Sequence, residues 1–319
     1  AGGGAVVLSG VAGVGKTRLV REMLRALDQR DELMWLEASR CTAGDEAGPY
    51  APFAQALRQR VRVVSSDDME TVRLKARSFI EQKLGVDDEA EIVELQSTLV
   101  GLLGGQVHEE SVVGEAAQRG QFFENMAAVY ERMARAQPLL ILIDDVHFAT
   151  GATRDLLAFL AGRVRELPVL FLTLVRDSGR EVTLTTLQRE GLPVLDMRLE
   201  ELSHESMIAL VEHQLELVKE IPPGLIPRIL ELSHGLPLVA EETVHDLIDN
   251  GVIEVHGDYW LFTQMSLRDI QLPDTVDALF EGRVQRLGHN QRLILEAAAV
   301  AGQRRGDGRQ LGHHLRSVF

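Results

Sequence analysis

One cysteine, Cys41, stands alone in 319 residues. That excludes a disulfide framework and any cysteine-built zinc site, and it fits a reducing interior. Packing is the expected role of the thiol, and the cytoplasm the expected compartment. Long apolar runs are also missing: the longest, 138–143 and 167–175, fall far short of the ~20 residues that cross a bilayer. No transmembrane helix is therefore expected. Excess positive charge is absent too. A net charge of −15 repels a phosphate backbone, so DNA contact is expected only through a domain that this stretch does not include. The last stretch, 303–319, is locally basic through Arg304, Arg305, Arg309 and Arg316, and reads as a solvated end. No internal repeat and no low-complexity tract interrupts the chain. It opens on Ala-Gly-Gly-Gly rather than Met and carries no signal-peptide pattern, so it reads as a fragment.

What is present begins with length and apolar content. With 319 residues and 45% apolar content, the chain has room for about two domains and part of a third, each with a sizeable core. The most informative stretch is GVAGVGKT, Gly10 to Thr17. It follows an apolar strand-like run at 5–9 and precedes a helical pattern that reaches Leu27. This is the pattern G-x-x-x-x-G-K-[ST] in its strand-loop-helix setting. Gly10, Gly13 and Gly15 let backbone N–H groups turn toward phosphate oxygens, and the following helix adds its positive end. Lys16 is the point charge for the outer phosphates, and Thr17 a hydroxyl ligand for magnesium. The four fixed positions arise by chance in roughly one chain in a hundred of this length. Taken alone, the stretch also fits a glycine-rich turn without a ligand.

A second stretch changes that balance. PLLILIDDVHF, 138–148, has the form of a fully buried strand with two acids at its carboxyl end, where functional residues of open α/β sheets gather. Asp144 is assigned to the metal and Asp145 to an attacking water. His147 has no metal-ligand partner at useful spacing, so its expected role is packing or support. The apolar run 167–175 ends at Arg176, whose guanidinium matches a terminal phosphate geometrically. A plain surface arginine at a strand end is the other reading of that position.

Periodicity places the remaining elements. Strands are predicted at 33–38, 138–143, 167–175 and 194–199, and helices at 53–64, 69–84, 89–103, 114–136 and 153–164. Strands alternating with helices indicate a parallel sheet covered on both faces. The helical stretch at about 49–105 reads as an insertion. Phe122, Phe123, Met126, Val129, Tyr130 and Met133 form a stripe expected in the core. Beyond 201 the pattern turns helical, with Ser203 as an N-cap, helices at 224–233 and 237–250, and a rigid junction at Gly235 and Pro237. A hairpin is predicted at 252–262, turning at 256–258, and two further helices at 274–287 and 290–301.

These residues carry a resemblance. GVAGVGKTRLVREML, PLLILIDDVHFATGATRDLLAFL, LPVLFLTLVRD, HGLPLVAEETVHDLIDNGVI and LPDTVDALFEGRVQRLGHNQRLILEAAAVAG follow one another as in the STAND-class signal-transduction ATPases. The variant they are most similar to is that of large bacterial LuxR-type transcriptional regulators and related cyclase- and kinase-linked proteins. The resemblance implies a P-loop NTPase three-layer α/β domain over 1–200, a helical lid with a hairpin over 201–270, and the start of a winged helix over 271–319. It implies ATP or ADP with Mg2+, exchange between a closed ADP state and a self-associating ATP state, and control by an inducer or regulatory protein. Gly10, Val11, Ala12, Gly13, Val14, Gly15, Lys16, Thr17 and Arg18 become the nucleotide loop and Asp144 and Asp145 the acids of the second motif. Arg176 becomes the phosphate sensor, and Pro237 a contact near the base and ribose. Phe148 stands where such relatives often carry Trp, Thr150 where an acid is common, and an adenine-holding segment before the first strand is absent. Two other functions remain open at this point: an AAA-type motor or loader, and a degenerate interaction scaffold.

Overall fold

The computed structural model describes residues 2–30, 33–42, 48–104, 116–263, 270 and 276–304. The basic tail beyond Arg304 and the expected opening of a third domain at 271–275 lie outside the described residues. Two compact units are present: one is built chiefly from residues 1–9 and 20–198, the other from 10–19 and 199–300.

The first unit is organised by a five-stranded parallel sheet. Its strands are β1 (Gly4–Ser9), β2 (Trp35–Arg40), β3 (Leu139–Asp144), β4 (Val169–Val175) and β5 (Val194–Arg198), in the order β2-β3-β4-β1-β5. The central strands are apolar on both faces because helices must cover a parallel sheet. Leu139, Leu140, Ile141 and Ile143 of β3 and Val169, Phe171, Leu172 and Leu174 of β4 are all buried. Parallel pairing in register brings Ser9, Arg40, Asp144, Val175 and Arg198 to one edge of the sheet, its carboxyl edge.

Between β2 and β3 run α2 (Ala51–Val61), α3 (Met69–Lys83), α4 (Glu89–Leu103) and α5 (Ala116–Ala136), preceded in the chain by α1 (Lys16–Asp28). Local chemistry sets their ends. Pro52 sits in the first turn of α2, where its missing N–H costs no helical bond. Asp68 and Asp88 cap α3 and α4, accepting from Thr71 N at 2.8 Å and Glu91 N at 3.0 Å. The expected stripe on α5 is core, since Phe122, Phe123, Met126, Val129, Tyr130 and Met133 are all buried in the cluster beneath the sheet.

After β3 come a short 3-10 turn (Val146–Phe148), α6 (Gly151–Arg163) and, beyond β4, a second turn (Asp177–Gly179) and α7 (Arg180–Gln188). Helix α7 is absent from the periodicity reading, for a local reason. It is rich in threonine, a poor helix former that favours other backbone states. In the fold the Thr183, Thr185 and Thr186 hydroxyls donate to the carbonyls of Gly179, Glu181 and Val182 at 2.9, 2.9 and 2.7 Å.

In the second unit α8 (His204–Gln214) starts at Ser203, whose hydroxyl accepts from Ser206 N at 3.2 Å, as an N-cap should. α9 (Leu225–Ser233) and α10 (Pro237–Asp249) follow, and Met207, Val211, Ile229, Val244 and Leu247 make their common core. The hairpin of β6 (Ile253–His256) and β7 (Tyr259–Phe262) forms where expected, with Gly257 at φ 53° in its turn. α11 (Val276–Arg286) and α12 (His289–Arg304) continue the chain. Arg286 ties α11 to α10 by donating to Asp246 and, at 2.6 Å, to Asn250 Oδ1. No helix among the described residues is long and apolar enough to cross a membrane.

Candidate functional site

The glycine loop has the backbone its sequence demands. Gly10, Gly13 and Gly15 have φ of 152°, 80° and 107°, a region that side chains rarely adopt. At two of them space decides as well. A Cβ at Gly10 would lie 2.6 Å from Leu199 O, and one at Gly13 would lie 3.0 Å from Leu238 Cβ. A Cβ at Gly15 would meet nothing within 4 Å among the described residues. Val14 is buried and anchors the loop, Val11 is half-buried, and Ala12, Thr17 and Arg18 are exposed. The Lys16 ammonium folds back over the loop, donating to Gly10 O at 2.8 Å and Val11 O at 2.9 Å. Helix α1 begins at Lys16 with no acid in its first turn. The N–H groups at its start therefore meet no competing carboxylate from that turn.

The second unit also holds the junction before α10. His234 and Gly235 are both left-handed, with φ of 47° and 80°. Gly235 O accepts from Leu202 N at 2.9 Å, and Pro237 occupies the first turn of α10. One residue on, Leu238 N donates to Gly13 O at 3.3 Å. The fold thus brings the Pro237 end of the helix to the glycine loop.

At the carboxyl edge of the sheet, Asp144 ends β3 and Asp145 turns the chain with a left-handed φ of 55°. Aspartate tolerates that conformation better than most residues. Asp144 Oδ1 accepts from Asp145 N at 2.9 Å, and its Oδ2 accepts from Arg40 Nη2 at 2.9 Å. Arg40 Nε lies 3.3 Å from Asp145 Oδ2, so one guanidinium spans both acids. His147 Nδ1 is 3.9 Å from Asp145 Oδ1, and its ring packs at 4.0 Å on that of Phe148. Support and packing, the expected role of His147, match this position. Arg176 follows β4 at the same edge, exposed, with its guanidinium 5.9 Å from the Phe148 ring. Cys41 is buried beside them, and its thiol is pushed up to about 12 by burial first and then by Asp145 and Asp144.

Arg40 is the residue that sequence reasoning missed. In ASRCT it is one arginine among many. Its only signal is that β2 pairs in register with β3, which sets Arg40 opposite Asp144.

Nucleotide and magnesium fit what the residues offer. The loop turns on three glycines at positive φ and leads into a helix N-terminus. Thr17 in one unit and Asp144 in the other each carry a hard oxygen donor of the kind magnesium takes.

Residues 1–172 match the model of the AAA ATPase domain. The chain belongs to this AAA ATPase family. Membership implies nucleotide binding, usually with magnesium. The AAA chain is also 29% identical over 307 residues to an uncharacterized protein, R02095, of Rhizobium meliloti (strain 1021). That match covers 95% of the chain and 28% of the relative, so the chain spans little more than a quarter of the relative's length. Among solved structures it is similar to the Aeropyrum pernix Orc1 protein in complex with DNA, at 14% identity and a TM-score of 0.45, over 93% of this chain and 66% of that one. It is similar also to Cdc6p from Pyrobaculum aerophilum, at 10% identity and a TM-score of 0.45, over 78% and 57%.

Proposed function

We propose that this AAA domain is a nucleotide-controlled switch, binding ATP and ADP with magnesium and hydrolysing ATP slowly to ADP and phosphate. The observation that carries the reading is the hydrogen bond from Leu238 N to Gly13 O, which ties the first turn of α10 to the loop expected to hold phosphates. A helix that rests on the loop responds to what the loop holds.

In this reading the backbone from Gly10 to Arg18 cradles the phosphates, and Lys16 exchanges its two loop carbonyls for phosphate oxygens. Thr17 and Asp144 hold magnesium, which would neutralise phosphate charge. Asp145 orients a water, Arg176 reads the terminal phosphate, and Pro237 lies near the base and ribose. Slow turnover is supported by Arg40, which shares its guanidinium between the two acids and so occupies the carboxylate assigned to the water. Residues 201–270 act as the lid and 271–319 as the start of a winged helix. We assign the domain to the regulatory core of a bacterial LuxR-type transcriptional regulator, on the five ordered sequence blocks. In that setting the ATP state self-associates and an inducer or regulatory protein drives exchange. The net charge of −15 does not favour DNA contact through this region.

An AAA-type motor or loader is the second reading, and family membership supports it equally. One experiment separates them. The protein is purified gently and denatured, and the released nucleotide is identified by chromatography beside a Lys16→Ala variant. Stoichiometric ADP in the parent and none in the variant is expected. An empty parent that hydrolyses added ATP rapidly would establish the motor, and an empty parent that also fails to bind would leave a scaffold.

A further inference from the structure

Away from the carboxyl edge, the first unit has a cleft of about 1020 Å³ between β2, α2 and α3. Its size is that of a small-molecule site. Edge strand β2 contributes Trp35 and Glu37, α2 contributes Arg60 with Arg62 just beyond it, and α3 contributes Lys75 and Lys83. Four cations and one acid therefore line an opening in a protein of net charge −15.

Existing pairs account for half of those cations. Arg60 Nε lies 2.6 Å from Glu37 Oε1, donates to Leu36 O at 2.9 Å, and stands 5.0 Å over the Trp35 ring. Lys75 lies 2.6 Å from Asp67 and donates to Arg62 O. Arg62 and Lys83 are exposed, and among the described residues neither has an ion-pair partner. Among the described residues, then, two of the four positive charges have no ion-pair partner.

Glu37 is the second observation. Its side chain is 1% exposed, and only one of its oxygens is paired. The other, Oε2, has no hydrogen-bond partner among the described residues. Burial raises the pKa of Glu37 against the opposing pull of Arg60. A buried carboxylate oxygen left without a donor is costly, and a ligand hydroxyl or amine would supply one.

We propose that this cleft is a second binding site, independent of the nucleotide loop, for a small phosphate monoester that also carries a hydroxyl or amine donor. The ester's charge of −1.5 to −2 near pH 7 matches the charge of Arg62 and Lys83 together. Its phosphate meets Arg62 and Lys83, and its donor takes Glu37 Oε2, which the protein encloses, once that side chain turns toward the ligand. Trp35 lines the same cleft and reports on it. The chain has two tryptophans, so Trp260→Phe leaves Trp35 as the sole indole.

The test titrates Trp260→Phe protein with glucose 6-phosphate, a hydroxyl-bearing ester, and with O-phosphoserine, an amine-bearing one. Glucose, serine and inorganic phosphate serve as controls. Saturable change in Trp35 emission is expected with at least one ester, at an affinity at least about tenfold above that of its parts. Lys83→Glu, an exposed change that spares the fold, and Glu37→Gln should each weaken it at least about tenfold, while Lys16→Ala leaves it intact. The proposal is overturned by no saturable change with either ester. It is equally overturned by parts that bind as well as the whole, by a response unchanged in Lys83→Glu, or by one lost in Lys16→Ala, which would place the ester at the glycine loop.

Discussion

Arg40 Nη2 sits 2.9 Å from Asp144 Oδ2, joining residues 104 apart in sequence. Under the proposed function Asp144 is a magnesium ligand, so the guanidinium and the metal would compete for one carboxylate. Arg40 is 57% exposed on its side chain, and exposed pairs are worth about 0.2–1 kcal/mol. Arg40→Ala should therefore lower the magnesium concentration for half-maximal ATP binding by only about 1.4- to fivefold. A fluorescent ATP analogue titrated with magnesium measures this. A higher magnesium requirement would show that Arg40 supports the site rather than competing for it.

Gly13 and Gly15 separate backbone strain from collision. Both have positive φ, but only Gly13 faces a neighbour, Leu238. Gly15→Ala should cost about 1–2 kcal/mol from strain. Gly13→Ala should cost more, and Leu238→Ala in the Gly13→Ala background should recover the difference. Denaturant melts of the four proteins test it, and equal costs for the two single alanine variants would remove the role given to Leu238.

Asp246 is a buried acid, 7% exposed on its side chain, held by Arg286 from α11 and by Asn250. Removing Arg286 strands that carboxylate. Arg286→Ala should destabilise by about 2 kcal/mol, below the ~3–5 kcal/mol of a fully buried pair because Arg286 is partly exposed. Amide exchange in α11 should rise at the same time. Unchanged exchange there would mean that the tether does not hold the helix.

Cys41 predicts a pH dependence with a definite sign. Its thiol is raised from 9.0 to about 12 in the fold, so above pH 9 the unfolded chain loses a proton that the folded chain keeps. The contribution to stability is complete below pH 9 and is lost as pH rises toward 12. Between pH 9 and 11, parent stability should fall more steeply than that of Cys41→Ala. Thiol labelling at pH 8 should be slow until denaturant is added, and fast labelling of the native protein would contradict the burial.

Much of the fold is legible in local pattern. Glycines at 10, 13 and 15 adopt the conformations that only glycine takes readily, and the α5 stripe is buried. Ser203 caps α8, and the hairpin turns at Gly257. Each follows from interactions within a few residues. Helix α7 escaped because its threonines satisfy their hydroxyls only after the helix exists.

By itself the sequence determined the chemistry available: a loop whose backbone could bend only one way, an acid pair after an apolar strand, and a net charge of −15. Tertiary structure alone decided who meets whom. Strand order placed β4 between β1 and β3, and β2 outside β3, so Arg40 came to Asp144 and the α2–α3 cleft opened beside Glu37. Order and register come from burying apolar faces against partners distant in the chain. The local pattern of β2 carries no record of which strand it will join.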